Sequence, residues 1–253
     1  MGLATVIATP HDAAAARTLT IARLDAAPTI DGKLDEFPKA AFVEWGAGQY
    51  KARGALATDG ERLYLAYDVN GDQNPMVNAG QDITHLFITG DSVDLQLGAN
   101  PAADPKRGEP AVGDLRLLIS VMDGKPGSGE PGRTVAVLYR WKVAGQKRPQ
   151  TFSSPWRHIA LDWVQPLEDA EISIVRRGNG YTVEAAVPLK TLGFAPQPEK
   201  SYKLDLGVIF SDATGTTRLL RMYWANQATG LVNDVPGEIM GTPALWGTAT
   251  LAP

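Results

Sequence analysis

Apolar residues alternate with polar or small ones along much of this chain, and that alternation is the first constraint on its fold. Leu63, Leu65, Tyr67 and Val69 are spaced two apart, with Tyr64, Ala66 and Asp68 between them. A period of two marks a strand with one face on a core. Thr58-Asp59-Gly60-Glu61-Arg62 is turn chemistry between two apolar runs, so residues 54–69 predict a hairpin. Val93, Leu95 and Leu97 point one way, and Asp94 and Gln96 the other. Leu115, Leu117 and Ile119 face inward on a further strand, with Arg116 outward. Thr18 to Leu24, Thr134 to Trp141, Tyr202 to Phe210, Arg218 to Trp224 and Leu245 to Leu251 read as strands too. Glu171 to Arg176 and Gly180 to Val187 form a second hairpin, and Pro188 to Leu192 a single helical turn. Roughly ten short strands with almost no helical period predict an all-β, antiparallel, jelly-roll-like β-sandwich with long loop insertions.

No interior linker separates two cores, so one domain is expected over residues 18–253, behind an N-terminal arm or linker at 1–17. Lys125 to Arg133 (KPGSGEPGR) has the composition of a hairpin tip or flexible connector. The short segment around Asp31-Gly32, with Leu34 and Phe37, reads as a clip that plugs the end of the sandwich.

Composition narrows the function classes. The 253 residues are 44% hydrophobic, which supports a packed core and rules out wholesale disorder. The net charge is -4 with scattered basic residues, which gives nucleic acid or an anionic membrane little to bind. No apolar run is long enough to span a bilayer as a helix. Cysteine is absent, so disulfides, thiolate catalysis and cysteine-bound metals are excluded. His11, His85 and His158 show neither metal spacing nor the partners of a hydrolytic triad.

Two groups of residues carry candidate chemistry. Asp68, Asn70, Asp72 and Asn74 place oxygen side chains at alternate positions, the donor type that calcium prefers. The twelfth position from Asp68 is Ala79, so this is not an EF-hand, and a polar β-turn exit is the other reading of the row. The irregular 142–170 segment supplies Trp156 and Trp163. Aromatic rings of this kind stack on the CH faces of sugars, or fill a small core under a long loop.

Four stretches resemble the family 9 carbohydrate-binding modules when taken in order. They are TIDGKLDEFPKA at 29–40, ATDGERLYLAYDV at 57–69, GDSVDLQLG at 90–98 and GYTVEAAVPLKTLGF at 180–194. The resemblance spans residues 28–251 and implies an antiparallel β-sandwich, often with calcium. It further implies a non-catalytic module that belongs to, or derives from, a secreted protein of carbohydrate catabolism. Sugar-binding members hold a terminal sugar between two tryptophans, with a carboxylate and an arginine on its hydroxyls. Asp94 stands at the carboxylate position and Arg116 at the arginine position. Arg218, Arg221, Tyr223 and Trp224 are expected to add to the same face. Ile88 occupies the first clamp position, and the second falls at Gly230, Leu231 and Val232. Trp156 and Trp163 are the candidate replacements over Asp94 and Arg116.

The resemblance therefore implies a saccharide or glycan partner, neighbouring domains or assembly partners, and an extracellular or periplasmic location. A plain cross-strand ion pair on a solvated face remains the other reading of Asp94 and Arg116. A structural or assembly module without a sugar site is the alternative function. Haem binding through Met76 and His85, or through Met122 or Met240, is a third.

Overall fold

The computed structural model describes residues 17–122, 132–229 and 234–253, and the chain is built almost entirely from strands. In order these are β1 (Thr18–Arg23), β2 (Val43–Ala47), β3 (Tyr50–Thr58), β4 (Arg62–Asn70) and β5 (Ser92–Gly98). β6 (Asp114–Met122), β7 (Arg133–Arg140), β8 (Gln150–Ser153), β9 (His158–Leu161) and β10 (Trp163–Pro166) follow. β11 (Glu171–Arg177), β12 (Gly180–Pro188), β13 (Ser201–Ser211), β14 (Arg218–Tyr223) and β15 (Gly247–Leu251) complete the set. Two short helices, α1 (Leu189–Leu192) and α2 (Val235–Ile239), and a 3₁₀ segment at Ile83–Ile88 lie between strands. The expected 1–17 arm lies outside the described residues except for Arg17, and the expected 125–133 connector except for its last two.

The all-β class and the sandwich are as expected, but the strands number fifteen rather than about ten. One layer runs β10-β7-β6-β5-β13, with β14 and β15 both paired to β13. The other is β3-β4-β12-β11, with β2 on the outer side of β3. β1 joins them. Thr18 to Ile21 run parallel to β15, then Ala22 and Arg23 run parallel to β3. These parallel pairings correct the purely antiparallel expectation. A strand that begins in one layer and ends in the other must match the direction of both partners.

The main core lies between the layers. Leu56, Leu65, Tyr67 and Val183 come from one side, and Val93, Leu95, Leu117, Leu206 and Val208 from the other. These are the inward residues of the period-two pattern. The 29–41 clip does not plug an end. It lies on the outer face of the β3-β4-β12 layer, where Phe37 and Ala41 pack on Ala55, Ala57, Tyr64, Ala66 and Ala186. Small residues on that face let the clip approach. Glu184 holds it there by accepting the Asp31 and Gly32 amides at 3.0 and 2.8 Å. Two of the four recurring stretches are thus partners in one contact.

A third cluster decides where any site can be. The outer face of the β5-β6-β7-β13 layer is roofed by Leu86 and Phe87, by Phe152 and Leu161 of the β8–β9 hairpin, and by Ile239 and Trp246. All seven residues of β5 are buried. The alternation in β5 therefore separates two covered faces, one apolar and one holding polar groups.

Candidate functional site

Asp94 and Arg116 meet on this roofed face. They sit diagonally on adjacent strands, two residues out of register, since Asp94 lies opposite Leu118 and Arg116 opposite Gln96. Arg116 Nε donates to Asp94 Oδ2 at 2.9 Å, and Nη2 lies 2.7 Å from the same oxygen. Tyr223 donates its hydroxyl to that oxygen at 2.5 Å. The Tyr223 ring reaches it by crossing Gly207, where a Cβ would meet the ring at 2.4 Å. A glycine inside a strand often marks such a close approach. Asp94 Oδ1 is buried with no donor among the described residues.

The pair extends into a network. Arg116 Nη1 donates to the Glu238 carbonyl at 3.2 Å. The Glu238 carboxylate is gripped by Arg218 at 2.9 Å and by Arg221. Phe87 and Tyr139 cover the Arg116 guanidinium, with ring centroids 4.9 and 5.9 Å from its central carbon. Burial works against the charge on Arg116, but Asp94 outweighs it and holds the guanidinium above its ordinary pKa. Burial, then Asp94, pushes the Tyr223 hydroxyl well up, so it stays a donor. Behind the network, burial pushes the Asp205 carboxyl up to about 7, despite amide donors from Leu206, Ala225 and Asn226.

The predicted residues are partly assembled. Asp94, Arg116, Arg218 and Tyr223 do converge, as a connected group. They are not on an open face: Asp94 and Arg116 are 0% and 1% exposed. The polar pattern was correct, but a second layer of loops seals it. Trp224 turns into the inter-layer core and packs on Gly247. Tyr223, the residue just before it, takes the network side, so Trp224 offers no stacking platform there. Trp156 is 85% exposed in the β8–β9 turn, and Trp163 is half-buried on edge strand β10. The 142–170 segment does cover the pair, but through Phe152 and Leu161 rather than through either tryptophan. Ile88 packs against the roof, and the second clamp position lies outside the described residues.

Glu238 and Phe87 had no signal in the sequence. Glu238 lies 122 residues from Arg116, on a helix of one turn. Pairings of that separation leave no local period.

The proposed oxygen row does not fit a calcium ion at its first member. Asp68 Oδ2 accepts from Arg53 Nε at 3.0 Å and Oδ1 from Arg177 Nη2 at 2.5 Å. Two guanidiniums repel a cation. Asn70 donates to Asp68, while Asp72 is buried and accepts the Asn74 amide. Among the described residues no three His, Asp or Glu side chains cluster as metal ligands would. Of the residues considered for haem, Met76 is buried in the main core and His85 lies 2.8 Å from the Asp82 carboxylate. No helix among the described residues is long and apolar enough to cross a membrane.

The network reaches an open cleft of about 390 Å³ at the β2 and β14 edges. Arg221 and Tyr223 line it together with Glu44, Trp45, Asn226 and Gln227. Planar polar groups of this kind can fork onto neighbouring hydroxyls.

Comparison with known proteins bears on this geometry. Residues 148–252 match the family described as Carbohydrate family 9 binding domain-like. Two family 9 carbohydrate-binding module structures from Caldicellulosiruptor kristjanssonii share the fold. The one in complex with cellotriose superposes with a TM-score of 0.56 at 16% identity, covering 93% of each chain. The one in complex with glucose gives 0.52 at 15% identity, covering 93% of this chain and 95% of that one. No curated protein matches the sequence. The chain thus has the fold of the family 9 carbohydrate-binding modules along nearly its whole length, and is similar in sequence to that family over its C-terminal part. Of the four recurring stretches, only GYTVEAAVPLKTLGF lies inside the sequence match.

Proposed function

We propose that the protein is a non-catalytic carbohydrate-binding module. The observation that carries this reading is the cleft that Arg221 and Tyr223 line beside Glu44 and Gln227, where a sugar has room. Asp94, itself sealed, fixes the Tyr223 hydroxyl through Oδ2, and Glu238 fixes Arg221. A guanidinium held in place beside a carboxylate is the planar chemistry that reads adjacent sugar hydroxyls. The solved relatives hold glucose and cellotriose, which supports a neutral glucan as the first ligand to try. The module itself performs no chemistry. It works outside the cytoplasm, joined to or derived from a larger polysaccharide-processing protein.

Isothermal titration against glucose, xylose and their oligomers tests the reading. Heat of binding that falls at least tenfold in affinity with Arg221→Ala supports it. Absence of heat with every sugar sinks it. A second reading, a structural or assembly module, is favoured by the roof of Phe87, Ile239 and Trp246 over the pair. It predicts a stable self-association, seen by light scattering, that sugars leave unchanged.

A further inference from the structure

A second groove, of about 530 Å³, lies at the far edge of the β5-β6-β7-β13 layer from β14. It is lined by Arg140 and Leu138 of β7, Trp163 and Gln165 of β10, and Lys190 and Asp169 from the other side. Its size falls within the ~300–1,000 Å³ usual for small-ligand sites. Strand β10 is the last strand of this layer, paired with β7 on one side and bridged on the other only between Trp163 and Arg148.

The placement of the side chains is specific. Trp163 stands directly opposite Arg140 across the β10–β7 pair, and Gln165 follows on the same face. Val164, between them, turns to the roof cluster. Trp163 belongs to none of the three buried clusters and stays half-buried where it lines the groove. Arg140 is half-buried and makes no ion pair among the described residues. Its Nη2 donates to the Thr191 carbonyl at 2.5 Å, and the missing side chain of Gly193 leaves room beside Nη1. Burial pulls its pKa down with no anion to oppose it. Lys190 is exposed on α1 and likewise makes no ion pair among the described residues. Asp169 is engaged by the Thr191 hydroxyl at 2.5 Å. The groove therefore sets two cations against one carboxylate, in a chain of net charge -4.

An aromatic face beside an unmatched guanidinium has a definite chemical complement. The ring takes the CH face of a pyranose, the amide of Gln165 takes hydroxyls, and the guanidinium takes a carboxylate through two parallel hydrogen bonds. We propose that this groove binds a carboxylated saccharide, a uronic-acid unit stacked on Trp163 with its carboxylate on Arg140. The proposal rests on the reading of the protein as a saccharide-binding module, and places a second, acidic-sugar subsite away from Asp94.

Isothermal titration with tri-galacturonate and tri-glucuronate, beside cellotriose and xylotriose, tests it. At least one uronide is expected to bind, at least tenfold more weakly to Trp163→Ala and to Arg140→Gln. Arg140→Gln also removes the Thr191 contact, so Lys190→Gln, on an exposed position, gives an independent readout. It is expected to weaken the uronide several-fold, and to flatten the salt dependence, while Lys51→Gln, exposed on β3 at the opposite end of the other layer from α1, changes neither. Uronide binding that is indifferent to Trp163→Ala and Lys190→Gln overturns the proposal. So does succinate competing as well as the uronide, since a bare carboxylate would then suffice. Binding of neutral sugars alone, sensitive to Arg221→Ala, ends this proposal and leaves the module reading standing. No binding of any sugar ends both.

Discussion

Two carboxylate–arginine groups lie on the two outer faces of this sandwich, and they met different fates. Asp94 with Arg116 is on the β5-β6 face and is sealed. Asp68 with Arg53 and Arg177 is on the β4 face and stays at the surface. In the sequence they look alike, since each acid occupies an outward position of an alternating strand. Asp68 even stands directly opposite Arg53 across the β3–β4 pair. What separates them is the cover. Phe87, Tyr139, the β8–β9 hairpin and α2 close over Asp94, whereas the clip beside Asp68 leaves the Arg53 and Arg177 side chains 45% and 42% exposed. Alternation reports which way a side chain leaves its sheet. It does not report what arrives on top.

The contrast is broken most directly at Asp94. Asp94→Ala leaves Arg116 charged, buried and without its partner, and is expected to cost about 3–5 kcal/mol in urea unfolding. A double replacement, Asp94→Leu with Arg116→Met, is expected to regain most of that loss, because it removes both charges from the interior. If Asp94→Ala costs less than about 1 kcal/mol, the two groups are energetically alike and the roof does not seal the pair.

The pH profile comes next. Burial lifts Asp205 to about 7, and burial together with the nearby Asp72 carboxylate lifts Asp91 to about 7. An unfolded aspartate titrates near 3.8, so between the two values the folded chain keeps protons that the unfolded chain has shed. Their contribution to stability is whole below about pH 4 and is lost as pH rises through about 7, a change on the order of a few kcal/mol. Urea midpoints from pH 4 to 8 follow it, and Asp205→Asn is expected to flatten part of the slope. A profile that rises across this window would show that the amide donors around Asp205 outweigh its burial.

Tyr223→Phe sharpens the comparison inside the sealed group. It deletes one of the contacts to Asp94 Oδ2 and leaves Arg116 in place, so about 1–2 kcal/mol is expected by the same urea assay. The smallest effect belongs to the open group. Asp68→Ala should cost about 0–1 kcal/mol and lose even that in 1 M salt, because its partners are solvated.

Much of the fold was legible in the sequence. Leu63, Leu65, Tyr67, Val93, Leu95 and Leu117 face the inter-layer core as their spacing requires. The convergence of Asp94 and Arg116 was also legible through motif position, and that of Arg221 with Tyr223 through strand parity; Arg218, five residues before Tyr223, joins them across a register shift between Phe210 and Ser211. Their burial was not, because the covering residues come from 83–88, 152–161 and 235–246, which are 3₁₀ turns, a one-turn helix and strands of four residues, too short to show a period. Trp224 was misplaced by one step of the same parity rule. It follows Tyr223, so it must face the other layer. The oxygen row from Asp68 to Asn74 runs off the end of β4 at Asn70, and beyond that point a spacing of two no longer means a shared face.

The seam at β1 has a consequence for how the chain is made. Thr18 pairs with Thr248 and Ile21 with Leu251, residues from the first and last strands of the sandwich. During synthesis the opening strand finds β3 within a few dozen residues, but four of its six residues wait for β15 to leave the ribosome. Zipping the two layers together is therefore the last pairing available to a growing chain, and the one with the greatest loop-closure cost. A chain cut short before Gly247 would hold both layers and lack the stitch between them.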